Sequence, residues 1–141
     1  MSVWKQPATI DDLNRMQGDS LATVLGIEFI EIGDDYLRAT MPVDNRTRQP
    51  FGLLHGGASV VLSETMGSVG GFLAAAPGSM VVGLEVNANH LRSATEGVVT
   101  GTCKPLHMGR TTQVWETQVH DAQQRLVCVS RLTVVVKTPK K

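Results

Sequence analysis

The chain lacks most of the features from which a function can be read by composition. It has no net charge: thirteen Lys and Arg balance thirteen Asp and Glu. A protein that grips a nucleic-acid backbone carries a basic surplus, so no nucleic-acid partner is expected. Cysteine is scarce. Cys103 and Cys128 both sit in apolar, β-like runs, which reads as buried free thiols in a reducing compartment rather than a disulfide framework. No uncharged apolar run approaches the ~18 residues of a membrane helix. The nearest, from Ala58 to Ala76, is interrupted by Glu64 and by serines and glycines. The start, Met1-Ser2-Val3-Trp4-Lys5, has no basic-then-apolar leader pattern. A soluble, cytoplasmic protein without membrane contact is expected. The four histidines, His55, His90, His107 and His120, share no metal-ligand spacing. A G-x-S-x-G elbow is also missing, which argues against a serine nucleophile. Neither a metal nor a cofactor is expected.

What is present fits one domain over residues 1–141, with 42% apolar and 18% charged residues around a single core. Thr9 and Asp12 form a capping-box pattern, followed by Ile10, Leu13 and Met16 at helical spacing. Ser20 is placed to cap one further turn, ended by Gly26. Residues 27–32 and 36–43 then read as strands joined at Gly33-Asp34-Asp35. A polar segment, 44–49, leads to Pro50 and Gly52 and then to a long helix stopped by Pro77-Gly78. Residues 80–91, 98–106, 111–120 and 125–136 read as four more strands with short turns, as in an antiparallel meander. In the strand at 80–91, Val82, Leu84, Val86 and Ala88 are expected on one face. Thr138 to Lys141 reads as a frayed basic tail. The expected class is α+β: about six strands in a curved antiparallel sheet wrapped around one long helix. Such a sheet has bare edges, so edge-to-edge dimers, and a homotetramer built from them, are expected.

The helix carries the one anomaly. At ~100° per residue, Ala58, Leu62, Met66, Val69 and Leu73 form a core stripe. Gly57, Val60, Glu64, Gly67, Ser68, Gly71 and Ala75 fall opposite, so a lone carboxylate is flanked by small residues, with Ser68 four residues on. Interior glycines cost about 0.5–1 kcal/mol each. Either another backbone approaches closely here, or a ligand needs room beside Glu64. Ahead of the helix, His55-Gly56-Gly57 offers free N–H groups at a positive dipole end, suited to an anion or a developing oxyanion. Gln49 can orient a water or a carbonyl. The helix start and Glu64 lie some two turns apart, about 12 Å. A partner chain with an antiparallel helix would bring one terminus opposite the other Glu64, which predicts sites shared between subunits.

Three blocks carry a resemblance. The first runs from Val43 through Gln49-Pro50-Phe51-Gly52-Leu53-Leu54-His55-Gly56-Gly57 to Glu64, the second from Val82 to Ala94, and the third is Cys103-Lys104-Pro105-Leu106-His107-Met108-Gly109. Together they resemble hotdog-fold acyl-CoA thioesterases of the 4-hydroxybenzoyl-CoA thioesterase type, with the acid on the central helix. The resemblance spans nearly the whole chain. It implies a helix wrapped by a sheet, paired into dimers and usually dimers of dimers, acting on acyl-CoA. Carried over, it implies that Glu64 attacks the thioester carbonyl or activates water. It further implies that Gly56 polarises the carbonyl, His55 assists at the thioester, Gln49 positions water and Ser68 supports the acid. His90, Arg92, Ser93, Gly109 and Arg110 would contact coenzyme A. Arg110 departs from the pattern, since relatives often carry serine there. Aromatic and medium-chain acyl groups are the expected substrates. The alternatives are a non-catalytic acyl-CoA-binding dimer, a hydrolase of aryl carrier-protein thioesters, and a same-fold hydratase.

Overall fold

The computed structural model describes residues 2–139. Lys140 and Lys141, the end of the expected basic tail, lie outside the described residues. The elements in order are α1 (Ile10–Gln17), α2 (Leu21–Val24), β1 (Glu28–Ile32), β2 (Leu37–Pro42), α3 (Gly56–Ala74), β3 (Met80–His90), β4 (Val98–Met108), β5 (Thr112–His120) and β6 (Leu126–Lys137). The class is α+β, as expected. The six strands form one antiparallel sheet in the order β1-β2-β4-β5-β6-β3.

The meander is confined to β4, β5 and β6. β3 does not pair with β4 but lies beyond β6 at the far edge. The reason is α3, about 28 Å long at 1.5 Å per residue, which carries the chain across the sheet between β2 and β3. Its expected stripe is buried: Leu62 and Met66 are fully enclosed, with Ala58, Val69 and Leu73 almost so. Trp115 of β5 and Leu132 of β6 fill the concave side of the sheet against it.

The opposite stripe departs from expectation. Gly67, Gly71 and Ala75 are buried, not open beside Glu64. A Cβ on Gly67 would stand 2.7 Å from Leu132 Cδ2, one on Gly70 2.9 Å from the Trp115 ring, and one on Gly71 2.9 Å from Gln113 Oε1. The sheet curls far enough around the helix that β5 and β6 reach both flanks. These glycines let the sheet close on α3, and leave no room for a ligand.

The Thr9–Asp12 capping box is formed in both directions, at 3.0 and 2.9 Å. Ser20 makes no side-chain cap bond, and α2 is a single turn. α1 docks on the first sheet edge: Asn14 exchanges hydrogen bonds with the Phe29 backbone at 2.8 and 3.1 Å. That edge is thereby covered in part. The N-terminal segment crosses the end of α3, where Lys5 and Gln6 N–H groups donate to Leu73 O and the Gln6 amide donates to Phe72 O at 2.7 Å. Trp4 stacks on Trp115 with centroids 5.8 Å apart.

Among the described residues the β3 edge is bare, with Met80 64% and Leu84 65% exposed. Its pairing with β6 slips between Gly83 and Glu85, a bulge that inserts Leu84. The bulge breaks the expected alternation. Val86 and Ala88 pack toward the core as predicted, but so does Val81, while Val82 and Leu84 face away. β4 runs two residues past its expected end, through Pro105, with a second bulge at Pro105/His107. Bulges tolerate proline because the ladder is already interrupted there. Cys103 and Cys128 are buried free thiols. No helix among the described residues is long and apolar enough to cross a membrane.

Candidate active site

The approach to α3 is held by its own polar residues. Thr47 is buried and its hydroxyl donates to Pro42 O at 2.7 Å. Arg46 pairs with Asp44 at 2.7 Å, and Arg48 donates to Thr95 O at 2.8 Å. Both arginines therefore serve the loop. His55 N donates to Thr47 O, and Leu54 N to Ala94 O. This brings the segment ahead of α3 alongside the one following β3.

His55 is the N-cap of α3. Its Nδ1 accepts the Gly57 N–H at 2.8 Å. In the neutral ring this places the proton on Nε2, which points away from the helix as a donor. One of the two glycine N–H groups expected to be free is therefore taken. Gly56 N–H, at the first helical position, has no acceptor among the described residues. Gln49 is also partly committed: its Oε1 accepts from Phe51 N at 2.6 Å and Leu53 N at 3.2 Å. What it presents outward is its NH₂, a donor.

A cavity of about 440 Å³ opens at this end of the helix. Gln49, Gly56, Ser59, His90, Arg92 and Ser93 are among its lining residues. His90 lies over the helix start, since a Cβ on Gly56 would come within 2.8 Å of its Nε2. Five of the ten residues singled out from sequence thus share one cavity wall: Gln49, Gly56, His90, Arg92 and Ser93. A sixth, His55, adjoins that wall as the N-cap between the lining residues Leu54 and Gly56, and the other four stand elsewhere. Glu64 is exposed, with its carboxylate against Gly83 of β3, where a Cβ would meet Glu64 Oε2 at 2.7 Å. Ser68 makes no hydrogen bond to Glu64 among the described residues. Gly109 closes the β4–β5 turn by donating to Thr112 O at 2.8 Å, a distance a Cβ would also reach. Arg110 is exposed beside it.

The sequence profile of the thioesterase superfamily matches residues 51–128, which span the helix start, Glu64, Gly83 and His90. The chain belongs to the thioesterase superfamily. Over 134 residues, 95% of this chain and 98% of the other, it is 56% identical to 1,4-dihydroxy-2-naphthoyl-CoA hydrolase of Escherichia coli strain K12. It is 51% identical, at the same coverage, to the proofreading thioesterase EntH of Cronobacter turicensis. A crystal structure of a thioesterase from Haemophilus influenzae superposes with a TM-score of 0.94 at 48% identity, covering 96% of this chain and 95% of that one. The chain is thus a thioesterase of hotdog architecture, and thioesters are its substrate class.

Within this thioesterase, two residues near the candidate groups were not singled out from sequence as site residues. Ser59 lines the cavity and is 1% exposed. Gly83 faces Glu64. Its signal was an isolated glycine inside a strand pattern, which marks a bulge or a close approach.

Proposed function

We propose that this thioesterase hydrolyses acyl-CoA thioesters with aromatic acyl groups of the benzoyl or hydroxynaphthoyl type, and accepts medium-chain ones. The carrying observation is the division of labour on α3. The free Gly56 N–H and the outward His55 Nε2–H stand at the positive end of the helix. The Glu64 carboxylate stands some two turns away, about 12 Å. Thioester hydrolysis needs a donor set for the developing oxyanion and a group that attacks or takes a proton. Gly56 N–H polarises the carbonyl and His55 Nε2–H assists. Gln49 adds a donor from its NH₂, so it addresses an oxygen of the substrate more naturally than it accepts a hydrogen bond from water.

Glu64 attacks the carbonyl carbon or removes a proton from the attacking water. Either way the C–S bond breaks, coenzyme A leaves as the thiol, and one water is consumed per acid released. Ser68, a turn beyond Glu64, supports the acid by a hydrogen bond made in the complex. His90, Arg92 and Ser93 line the cavity that receives the coenzyme, whereas Gly109 and Arg110 lie at the β4–β5 turn, at the other end of the sheet, and reach a coenzyme only in a site shared between subunits. The 12 Å between the two ends of the chemistry supports a site shared between subunits, and the bare β3 edge supports the dimer that builds it, with a dimer of dimers beyond. Two buried free cysteines are in keeping with a cytoplasmic location. The 56% identity to a naphthoyl-CoA hydrolase supports the aromatic acyl group.

The test is thiol release from benzoyl-, 1,4-dihydroxy-2-naphthoyl- and hexanoyl-CoA, and from an aryl carrier-protein thioester. Wild type is expected to favour the aryl-CoAs, and Glu64→Ala to lose about 10²–10⁴-fold in kcat. Equal rates for the two proteins would remove Glu64 from the chemistry. Binding of acyl-CoA without any release would leave the non-catalytic reading standing.

A further inference from the structure

Glu64 is the one acid on α3, and what lies opposite its carboxylate is unusual for an inner strand face. Counting back in alternation from Ala88 and Val86, which pack toward the core, the next helix-facing position would be Leu84. A leucine there would occupy the space of the carboxylate. The bulge between Gly83 and Glu85 prevents this. It takes Leu84 out of the alternation, leaving it 65% exposed, and brings Gly83 opposite Glu64 instead. The closest atom to a Cβ on Gly83 would be Glu64 Oε2, at 2.7 Å, and the next side chain, Leu132 Cδ1, would be an ordinary contact at 3.7 Å. Gly83 has no positive φ to demand glycine. The turn argument for glycine is therefore absent at this position, and the space taken by Glu64 is what remains.

We propose that the β3 bulge and Gly83 are a positioning device for the Glu64 carboxylate. This rests on Glu64 being the attacking or proton-accepting group. The missing side chain lets the carboxylate lie flush against β3. A methyl at Gly83 pushes the carboxylate away from the strand without disturbing the fold, because the clashing atom is the free end of a flexible side chain. Moving from 2.7 Å to ordinary contact at 3.4 Å displaces the oxygen by a large part of an ångström. Misplacement of a reacting group by about 1 Å can cost on the order of 10²-fold in rate.

The experiment is a double-mutant cycle between Gly83→Ala and Glu64→Asp, read as kcat and KM for one aryl-CoA. Thermal unfolding and elution volume are followed for every variant. Gly83→Ala is expected to lower kcat about 10–100-fold with KM within about threefold and an unchanged melting temperature. Aspartate is one methylene shorter and already withdrawn from β3. In that background the alanine should cost less than about threefold, so the two effects are strongly non-additive. Unchanged kcat in Gly83→Ala, or the same fold-loss in both backgrounds, would overturn the positioning role. A Glu64→Ala enzyme with wild-type rate would instead overturn the assignment of Glu64 itself, so the two failures are distinguishable.

Discussion

Gly70→Ala is the substitution on which the packing argument is most exposed. On an isolated helix this change adds up to ~1 kcal/mol of stability, because alanine loses less backbone entropy. Here the added Cβ would lie 2.9, 3.0 and 3.2 Å from Cζ3, Cη2 and Cε3 of Trp115, where ordinary contact begins near 3.4 Å. The ring cannot turn aside freely. Trp115 is fully buried, its Nε1 donates to Gln113 Oε1 at 2.8 Å, and Trp4 stacks on it nearly parallel, at 6°. Making room moves the stack, and with it the Trp4 Nε1 bond to Gly33 O at 2.7 Å. Overpacking a rigid core costs typically 1–3 kcal/mol, and three contacts on an aromatic ring place this case near the upper end. After the propensity gain, the net destabilisation is about 2 kcal/mol. At this chain length that lowers Tm by roughly 6–8 °C. The assay is thermal unfolding by circular dichroism at one protein concentration, since oligomerisation would otherwise shift Tm. Trp115→Phe should absorb part of the effect in a double-mutant cycle. A Gly70→Ala protein as stable as wild type, or more so, would refute the claim that these glycines exist for sheet closure.

Three further outcomes follow from other contacts. Cys103 is fully enclosed and burial pushes its thiol up to about 12, while burial also raises Cys128. Both stay protonated and unreactive toward a disulfide reagent at pH 8 in the native protein and should titrate as two thiols once unfolded; rapid native modification would contradict this. Burial pushes the Asp121 carboxyl up, but hydrogen bonds from Arg125 N and Nε and from Gln123 N outweigh it and hold the group below the 3.8 of an ordinary aspartate. Its stabilisation is thus present above pH ~4 and lost as pH falls through the lower folded value, so Asp121→Asn should destabilise at pH 7 and much less near pH 2, measured by urea unfolding at both. Gln6→Ala removes the amide that donates to Phe72 O and Ala75 O at the end of α3 and should cost about 1 kcal/mol with kcat unchanged, because that end lies far from the helix start; a fall in kcat at unchanged Tm would be the contrary result.

The long helix, its core stripe and its carboxylate were legible in the order of residues. Leu62, Met66 and Leu73 recur at helical spacing, and Pro77-Gly78 ends the run. So were the capping box at Thr9 and the turn residues that separate the strands. These are local properties: periodicity, capping and turn chemistry act within a few residues and need no knowledge of what packs where. The polar loop at Gln49–Gly57 was legible as a candidate site for the same reason, since a helix N-terminus with glycines and a histidine is a local chemical fact.

Tertiary structure decided what those residues face. The glycines of α3 left open a close approach of another element or room beside Glu64 until the curl of the sheet brought Trp115, Leu132 and Gln113 against them. Strand pairing between distant segments set β3 beside β6 rather than β4, because α3 carries the chain across the sheet between β2 and β3. One slipped residue in that pairing exchanged Leu84 for Gly83 opposite the carboxylate, and an alternating sequence cannot announce where its register breaks. His90 was drawn to Gly56 by the same long-range pairing. The chain by itself determined which groups the thioesterase carries and on which elements. Only the packing of segments far apart in sequence determined which of them meet, because a side chain's neighbours depend on register and curvature, which are summed over the whole sheet.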